Sequence, residues 1–581
     1  MRLILLPNPQ LVCKRNDEYC PTFPLGLLSL ATVLSQSTKV SVHVVDPRSI
    51  DFQSPLHTAE LLLSLDADVV GFSTMCNTYP YALRTAQLLK QLKPDIVIVF
   101  GGPHATVVAK ETLNAFAFVD FILMGECERS ISDFVTYLAT QERNPADIPG
   151  LVFRQSGSAI QQTHTYPLLP ADQLPDIDYG LIGDVHGFES IPLDVGRGCP
   201  FRCTFCSTTV YWEQQSRQRS VQNIIDTVRR LKSAYDVTTF DFVHDNFTAS
   251  PRRVTDFCEH ILDSGLAFEW SCSARADFVD HKLLDIMYEA GCRCIFMGIE
   301  SGSPRIQRLC NKKLKLERVE PAVNKALELG LPLTFSFITG FPYENIDDIE
   351  QTLRMMAAIN HQGKTKCDLQ LHLLSPVPGS PLLSEPNVET ALDGTFSDIS
   401  LAQALDDVMK SWMAGVGKPI FESFYHYVNP ILSRQKILVM RFAWFTLFNY
   451  FRYTALALEE ARRYDDFPLI SVFDLPELPE GTDGTKETEV EWCANALRMF
   501  LNASDRAWAA TLLAILEFEF EAYRLRINGG SCLLECDYDV NEWVEGIDQD
   551  GEESTRLPSP VKKRYFIMKN GQKLQVASLP V

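Results

Sequence analysis

From Arg2 to Leu374 the chain alternates short runs of Val, Ile, Leu and Phe with longer amphipathic stretches, and this rhythm restricts the fold more than any other feature. An apolar run of roughly four to eight residues suits a strand covered on both faces, and helical stretches between such strands give parallel sheets. The runs form two series. The first is Arg2–Pro7, Val40–Asp46, Ala67–Thr74, Asp95–Gly102 and Phe118–Gly125. It predicts a doubly wound parallel α/β sheet over residues 1–140, with any ligand outside the carboxyl ends of the strands. The second is Ile191–Val195, Thr238–Val243, Glu269–Ser273, Arg293–Gly298, Leu333–Ile338 and Leu369–Leu374. Its six β/α units predict a partial (β/α)6 barrel over residues 188–385, whose functional residues gather at the strands' carboxyl ends.

At the end of the first barrel strand the residues Gly196 to Cys206 read Gly-Arg-Gly-Cys-Pro-Phe-Arg-Cys-Thr-Phe-Cys. Cys199, Cys203 and Cys206 stand in a C-x3-C-x2-C spacing. Three thiolates this close suit three irons of a 4Fe-4S cubane and leave the fourth iron without a protein ligand. An open coordination position separates a catalytic metal site from a structural one. Zinc is the competing metal, but its sites pair one C-x2-4-C with a second pair further on. Here the next cysteine is Cys258, alone.

Polar clusters follow the other barrel strands in turn: His244-Asp245-Asn246-Phe247, Arg275-Ala276-Asp277, Glu300-Ser301-Gly302-Ser303, Gly340-Phe341-Pro342-Tyr343-Glu344 and Ser375-Pro376-Val377-Pro378-Gly379. Each taken singly fits a helix cap or a solvated turn; their recurrence along one rim points to a ligand site. The first series ends in Ser73-Thr74, Gly101-Gly102-Pro103-His104 and Gly125-Glu126. Glycine in such turns lets the backbone approach a bulky ligand.

The cysteine spacing, with Phe205 ahead of the last cysteine, resembles the signature of the radical S-adenosylmethionine (SAM) enzymes. Gly101-Gly102 after the fourth strand and Gly125-Glu126-Cys127-Glu128 after the fifth look like the cobalamin-binding domain of the cobalamin-dependent members. The resemblance runs through the barrel. It implies a 4Fe-4S cluster on Cys199, Cys203 and Cys206, with SAM held by Phe205, Asp245, Asn246, Arg275, Glu300, Ser301 and the Ile338–Glu344 turn, Gly340 included. In that reading Asp245 accepts from the amino group and Arg275 pairs with the carboxylate. Cobalamin falls to Ser73, Thr74, Gly101, Gly102, Pro103, Gly125 and Glu126. The D-x-H-x-x-G motif that supplies a lower axial histidine in other cobalamin proteins is absent from Asn8 to Cys20, so, as in much of the family, no histidine is expected below the cobalt. His244 stands where family members often carry an acid.

The activity implied is methyl transfer from methylcobalamin to a carbon of a natural-product or peptide substrate through a 5′-deoxyadenosyl radical. The alternatives are a non-methylating cyclisation, rearrangement or oxidation by the same cofactors, or a non-catalytic corrinoid and iron–sulfur carrier or sensor. An electron donor such as flavodoxin or ferredoxin is the implied protein partner.

Composition narrows the partners. With 53 basic and 74 acidic residues the net charge is −21, which argues against nucleic acid or an anionic membrane as main partner. Sixteen cysteines dispersed in a large chain with no signal peptide read as cytoplasmic thiols. Phe442–Phe451, flanked by Arg441 and Arg452, is too short to span a bilayer and reads as a buried helix. Residues 141–187, punctuated by Pro145, Pro149, Pro167, Pro170 and Pro175, read as a linker with a hairpin at Ser156-Gly157-Ser158.

Residues 386–581 are expected to be mainly helical, a substrate cap with helices at Ile399–Trp412, Lys436–Tyr453, Val490–Phe500 and Ala507–Phe520, and an acidic loop from Asp474 to Glu489. Asn528-Gly529-Gly530 and Asn570-Gly571 read as hairpin turns. Cys532 and Cys536 read as ordinary thiols.

Overall fold

The first series of runs becomes strands β1 (Arg2–Leu6), β2 (Ser41–Val44), β3 (Val69–Ser73), β4 (Val97–Gly101) and β5 (Phe121–Leu123), parallel and in the order β2-β1-β3-β4-β5. This computed structural model describes the chain apart from residues 8–10, 14–18, 22, 38–39, 51–53, 156–158, 187, 189, 364–366, 393–404, 417, 474–485, 507, 529–530, 549–556, 559, 571–572 and 580–581. The strand order is that of a doubly wound sheet, with both faces covered by helices such as Leu25–Ser37 and Tyr79–Leu92. Burial explains the runs: Ile4, Val70, Ile98, Phe100 and Ile122 are all fully enclosed. The hairpin expected in the linker is present as β6 (Leu151–Arg154) and β7 (Ile160–Gln162), its turn lying outside the described residues. Antiparallel pairing of β6 with β5 makes part of the linker an extension of this sheet.

The second series becomes β8 (Ile191–Asp194), β9 (Thr239–Val243), β10 (Glu269–Ala274), β11 (Cys292–Glu300), β12 (Leu333–Thr339) and β13 (Asp368–Leu373). These six strands stand in simple chain order, β8-β9-β10-β11-β12-β13, as right-handed β/α units give. Ser220 caps the helix Val221–Tyr235, its hydroxyl accepting from the Asn223 N–H at 3.3 Å.

Contacts divide the chain into two compact units, one of Met1–Ser273, Glu289–Cys292 and Ser375–Tyr427, the other of Ala274–Tyr288, Arg293–Leu374 and Val428–Val581. In the first unit Met413, Ile420, Phe421 and Phe424 complete the core of the first sheet, and Trp412 packs edge-on to Phe116 with ring centres 5.2 Å apart. That segment includes the helix Asp407–Gly415, capped by Asp406, where the expected helix was Ile399–Trp412; residues 399–404 lie outside the described residues.

In the second unit the expected helix Lys436–Tyr453 proves to be two, Arg434–Tyr450 and Arg452–Tyr464, broken at Phe451. The reason is a distant cap. The Glu519 carboxylate accepts from the N–H groups of Tyr453 and Thr454 at 2.9 and 2.7 Å, so a helix N-terminus stands where sequence periodicity runs on. The later helices span Lys486–Asn502 and Ala509–Asn528.

Of the turn expected at Asn528-Gly529-Gly530, the two glycines lie outside the described residues; the flanking elements are a helix ending at Asn528 and β14 (Ser531–Tyr538), where a hairpin has a strand on each side. Asn570 does end a hairpin strand: β15 (Pro560–Asn570) and β16 (Lys573–Leu579) pair antiparallel, with Asn570 opposite Lys573. Cys532 and Cys536 both lie on β14. Most of acidic loop 474–489 lies outside the described residues. Among the described residues no helix is long and apolar enough to cross a membrane.

Candidate active site

The cysteine loop is shaped by its two ends. Just past β8, Gly196 and Arg197 pair antiparallel with Gln218 and Arg217, closing the loop with backbone bonds. Gly198 has φ +90°, and a Cβ there would lie 2.0 Å from the Gln215 carbonyl oxygen, so only glycine fits the residue preceding Cys199. Cys199, Cys203 and Cys206 are partly exposed, whereas Cys127, Cys258, Cys310 and Cys493 are buried. Burial pushes the Cys127 thiol up to about 12 and that of Cys310 to about 11, which keeps them protonated and inert. Three accessible thiols on one fixed loop form the donor set an iron–sulfur cluster uses. Among the described residues no three His, Cys, Asp or Glu side chains are placed to share a single metal ion.

The residues after β9 close around this loop. Asp245 accepts the Gly198 N–H at 2.8 Å, which ties the second strand end to the turn before Cys199. Burial raises the Asp245 carboxyl above its usual value, and the bond from Gly198 opposes that rise. His244 accepts from the Asn246 N–H through Nδ1 at 2.9 Å, and burial lowers the imidazole to about 4, leaving it neutral. Thr204 Oγ1, His244 Nε2 and Asn246 Nδ2 are buried polar atoms with no protein partner. Buried polar groups are nearly always satisfied, so three such atoms on and beside the cysteine loop fit a polar ligand. Phe205 is half-buried. The Leu382 N–H donates to the Thr204 carbonyl at 2.8 Å, anchoring the segment beyond the sixth strand on the loop.

In the same unit the three turns expected to hold cobalamin are stitched together. Thr74 donates through Oγ1 to the Gly101 carbonyl at 2.8 Å. Gly102, at φ +94°, lies so close to Thr74 that a Cβ would sit 2.7 Å from its carbonyl oxygen. The Gly125 N–H donates to Thr106 Oγ1 at 3.0 Å. Ser73 ends β3, and Pro103 opens the short helix Pro103–Val107. These turns sit where doubly wound sheets bind ligands, and the backbone-lined cradle suits a large, flat group. His104 turns inward instead: its Nε2 lies 2.9 Å from the Ile420 carbonyl and burial lowers the ring to about 4. Glu126 is engaged by arginines, accepting from Arg197 at 3.0 Å and Arg217 at 2.7 Å.

The expected SAM residues of the second unit have protein partners of their own. Arg275 forms a two-pronged pair with Asp277, both bonds 3.0 Å, and donates to the Lys312 carbonyl at 3.0 Å. Glu300, in the left-handed region at φ +69°, pairs with Lys312 Nζ at 2.6 Å, both side chains buried. Ser301 Oγ meets Thr352 Oγ1 at 2.9 Å and accepts from the Ser303 N–H at 3.1 Å. Ile338 lies on β12. In the following turn Glu344 accepts from Thr339 Oγ1 at 2.9 Å and the Gly340 N–H at 2.7 Å, both through Oε2. Its Oε1 is buried without a partner, and burial lifts this carboxyl to about 7. Sequence reasoning missed Arg197, Arg217, Glu128 and Lys312 as site-shaping residues. Arg197 carried a signal, standing between the two glycines of the loop.

Two domain families match this chain: the B12 binding domain over residues 19–135 and the radical SAM superfamily over residues 193–356. The chain is 28% identical to the uncharacterized methyltransferase PH0819 of Pyrococcus horikoshii, over 65% of its own length and 82% of that protein's. It is 27% identical to the anaerobic magnesium-protoporphyrin IX monomethyl ester cyclase of Rubrivivax gelatinosus, over 57% of its length and 61% of the relative's. Among solved structures, the cobalamin-dependent S-adenosylmethionine radical enzyme OxsB, with aqua-cobalamin and S-adenosylmethionine bound, shares the fold. Its TM-score is 0.62 at 14% identity, over 91% of this chain and 80% of that one. The B12 binding domain match falls on the doubly wound sheet, and the radical SAM match takes in the cysteine loop and the barrel strands through β12.

Proposed function

We propose that the protein is a cobalamin-dependent radical SAM methyltransferase that places a methyl group on a carbon of a small-molecule or peptide substrate. One observation carries this reading: within one compact unit, the cysteine loop of the radical SAM domain is bonded to the strand-end turn of the B12-binding domain, through Arg197 and Glu126. The methyltransferase name of the Pyrococcus relative supports the outcome. When bound, the cluster with SAM supplies a carbon-centred radical and the corrinoid a transferable methyl group.

The chain's own part is placement. Cys199, Cys203 and Cys206 hold the cluster, and Asp245 fixes the preceding turn through Gly198. Thr204, His244 and Asn246 offer the polar atoms that a SAM head group would satisfy. Phe205, Arg275, Glu300, Ser301, Ile338, Gly340 and Glu344 are proposed to complete the SAM site. Arg275 and Glu300 act there as parts of the Arg275–Asp277 and Glu300–Lys312 pairs. Ser73, Thr74, Gly101, Gly102, Pro103 and Gly125 form the corrin cradle, with Glu126 holding its edge to the loop. The corresponding divisions are a cobalamin part to about residue 140, a connector to 187, a radical SAM part to 385 and a substrate-selecting tail. Electrons come from a flavodoxin or ferredoxin.

The test is a count of products from anaerobically reconstituted protein with candidate substrates. Methyl transfer gives methylated substrate, 5′-deoxyadenosine and S-adenosylhomocysteine. The cyclase name of the Rubrivivax relative favours the second reading, a ring closure or oxidation. That reading requires 5′-deoxyadenosine without S-adenosylhomocysteine.

A further inference from the structure

Five charged side chains, each between 6% and 15% exposed, meet where the cysteine loop joins the Gly125–Glu128 turn. Arg197 reaches Glu126 at 3.0 Å, Glu128 at 2.9 Å and Asp194 at 3.0 Å. Arg217, opposite Arg197 in the short ladder, pairs with Glu126 at 2.7 Å. Tyr211, just beyond the cysteines, donates its hydroxyl to the Gly125 carbonyl at 3.2 Å. All of this lies within the first compact unit.

We propose that this buried set is a clasp that fixes the cysteine loop against the corrin cradle, and that Arg197 and Glu126 are positioning residues which set the spacing of the two cofactors. Buried ion pairs seldom add stability over an apolar contact of the same shape, so their use must be sought in what they specify. An apolar patch lets two surfaces slide. A planar guanidinium held by three carboxylates admits one arrangement, because each bond is directional and charge-assisted. Glu126 and Glu128 follow the end of the first sheet, Asp194 ends β8, and Arg197 stands just past it in the ladder that closes the loop. A fixed separation matters because displacement of reacting groups by about 1 Å costs on the order of a hundredfold in rate. The clasp thus sets geometry and takes no part in bond making.

This inference rests on the proposed cofactor sites, and the experiment separates the two. Protein reconstituted with iron, sulfide and hydroxocobalamin is reduced to the paramagnetic cluster and cob(II)alamin. Electron paramagnetic resonance then reads the magnetic interaction between them. Wild-type protein is expected to show one well-defined interaction. Arg197→Gln is expected to keep wild-type iron and corrinoid contents while the interaction weakens or splits into several populations, and Arg197→Lys to recover it in part. The same weakening is expected in the paired variant Arg197→Gln/Glu128→Gln, which removes one charge of each sign and serves if the single variant does not fold. An unchanged interaction in a variant carrying both cofactors overturns the clasp. Wild-type protein that takes up no cluster or no corrinoid overturns the cofactor reading itself.

Discussion

Replacing Glu344 by glutamine should change how stability depends on pH. The Glu344 side chain is fully buried, Oε2 accepts from Thr339 and Gly340, and Oε1 meets nothing. Burial lifts its carboxyl from 4.5 to about 7. Between those values the folded protein holds a proton that the unfolded chain has released, so stability falls as pH rises through this window. Above it, both states are ionised and the loss is complete. At about 1.4 kcal/mol per pH unit the whole loss is about 3 kcal/mol. Glutamine keeps an acceptor for Thr339 and Gly340 but has no proton to lose. The stability of Glu344→Gln minus that of wild type should therefore be near zero around pH 4.5 and grow to about 3 kcal/mol by pH 8. Thermal melts across that range, recorded in parallel for the two proteins without SAM, provide the comparison. A difference curve that stays flat from pH 5 to pH 8 would refute the assignment of a buried, proton-holding carboxyl.

Substituting any one of Cys199, Cys203 and Cys206 by alanine should remove most of the roughly four irons of a cubane, while Cys258→Ala, at a buried thiol, should leave iron content unchanged. Iron and sulfide assays decide between these. Gly198→Ala should cost about 2–5 kcal/mol from its left-handed backbone and the clash with the Gln215 carbonyl, and should lower cluster occupancy, read by visible absorption. Gly102→Ala should lose hydroxocobalamin binding in a spectrophotometric titration while cluster content holds, because its Cβ would push into Thr74.

The strands of both sheets were legible because each is a run of apolar residues enclosed on both faces, and the observed bounds fall within a few residues of the runs. The cysteine spacing is local and was equally legible. Pairings between distant residues were not. Nothing in the sequence says that Arg197 meets Glu126 and Glu128, or that Arg275 donates to the Lys312 carbonyl. The split of Lys436–Tyr453 into two helices failed to register for the same reason, since the capping carboxylate, Glu519, comes from another helix. The helix that runs up to Asn528, where the sequence pattern suggested a strand before a turn, was not legible because glycine-rich signals follow helices as readily as strands.

The ladder joining Gly196–Arg197 to Arg217–Gln218 ties both ends of the cysteine segment with main-chain bonds. Such bonds do not depend on which side chains stand at those positions. Exchanging Arg197, Arg217 or Gln218 therefore alters what the base of the loop touches without releasing its ends.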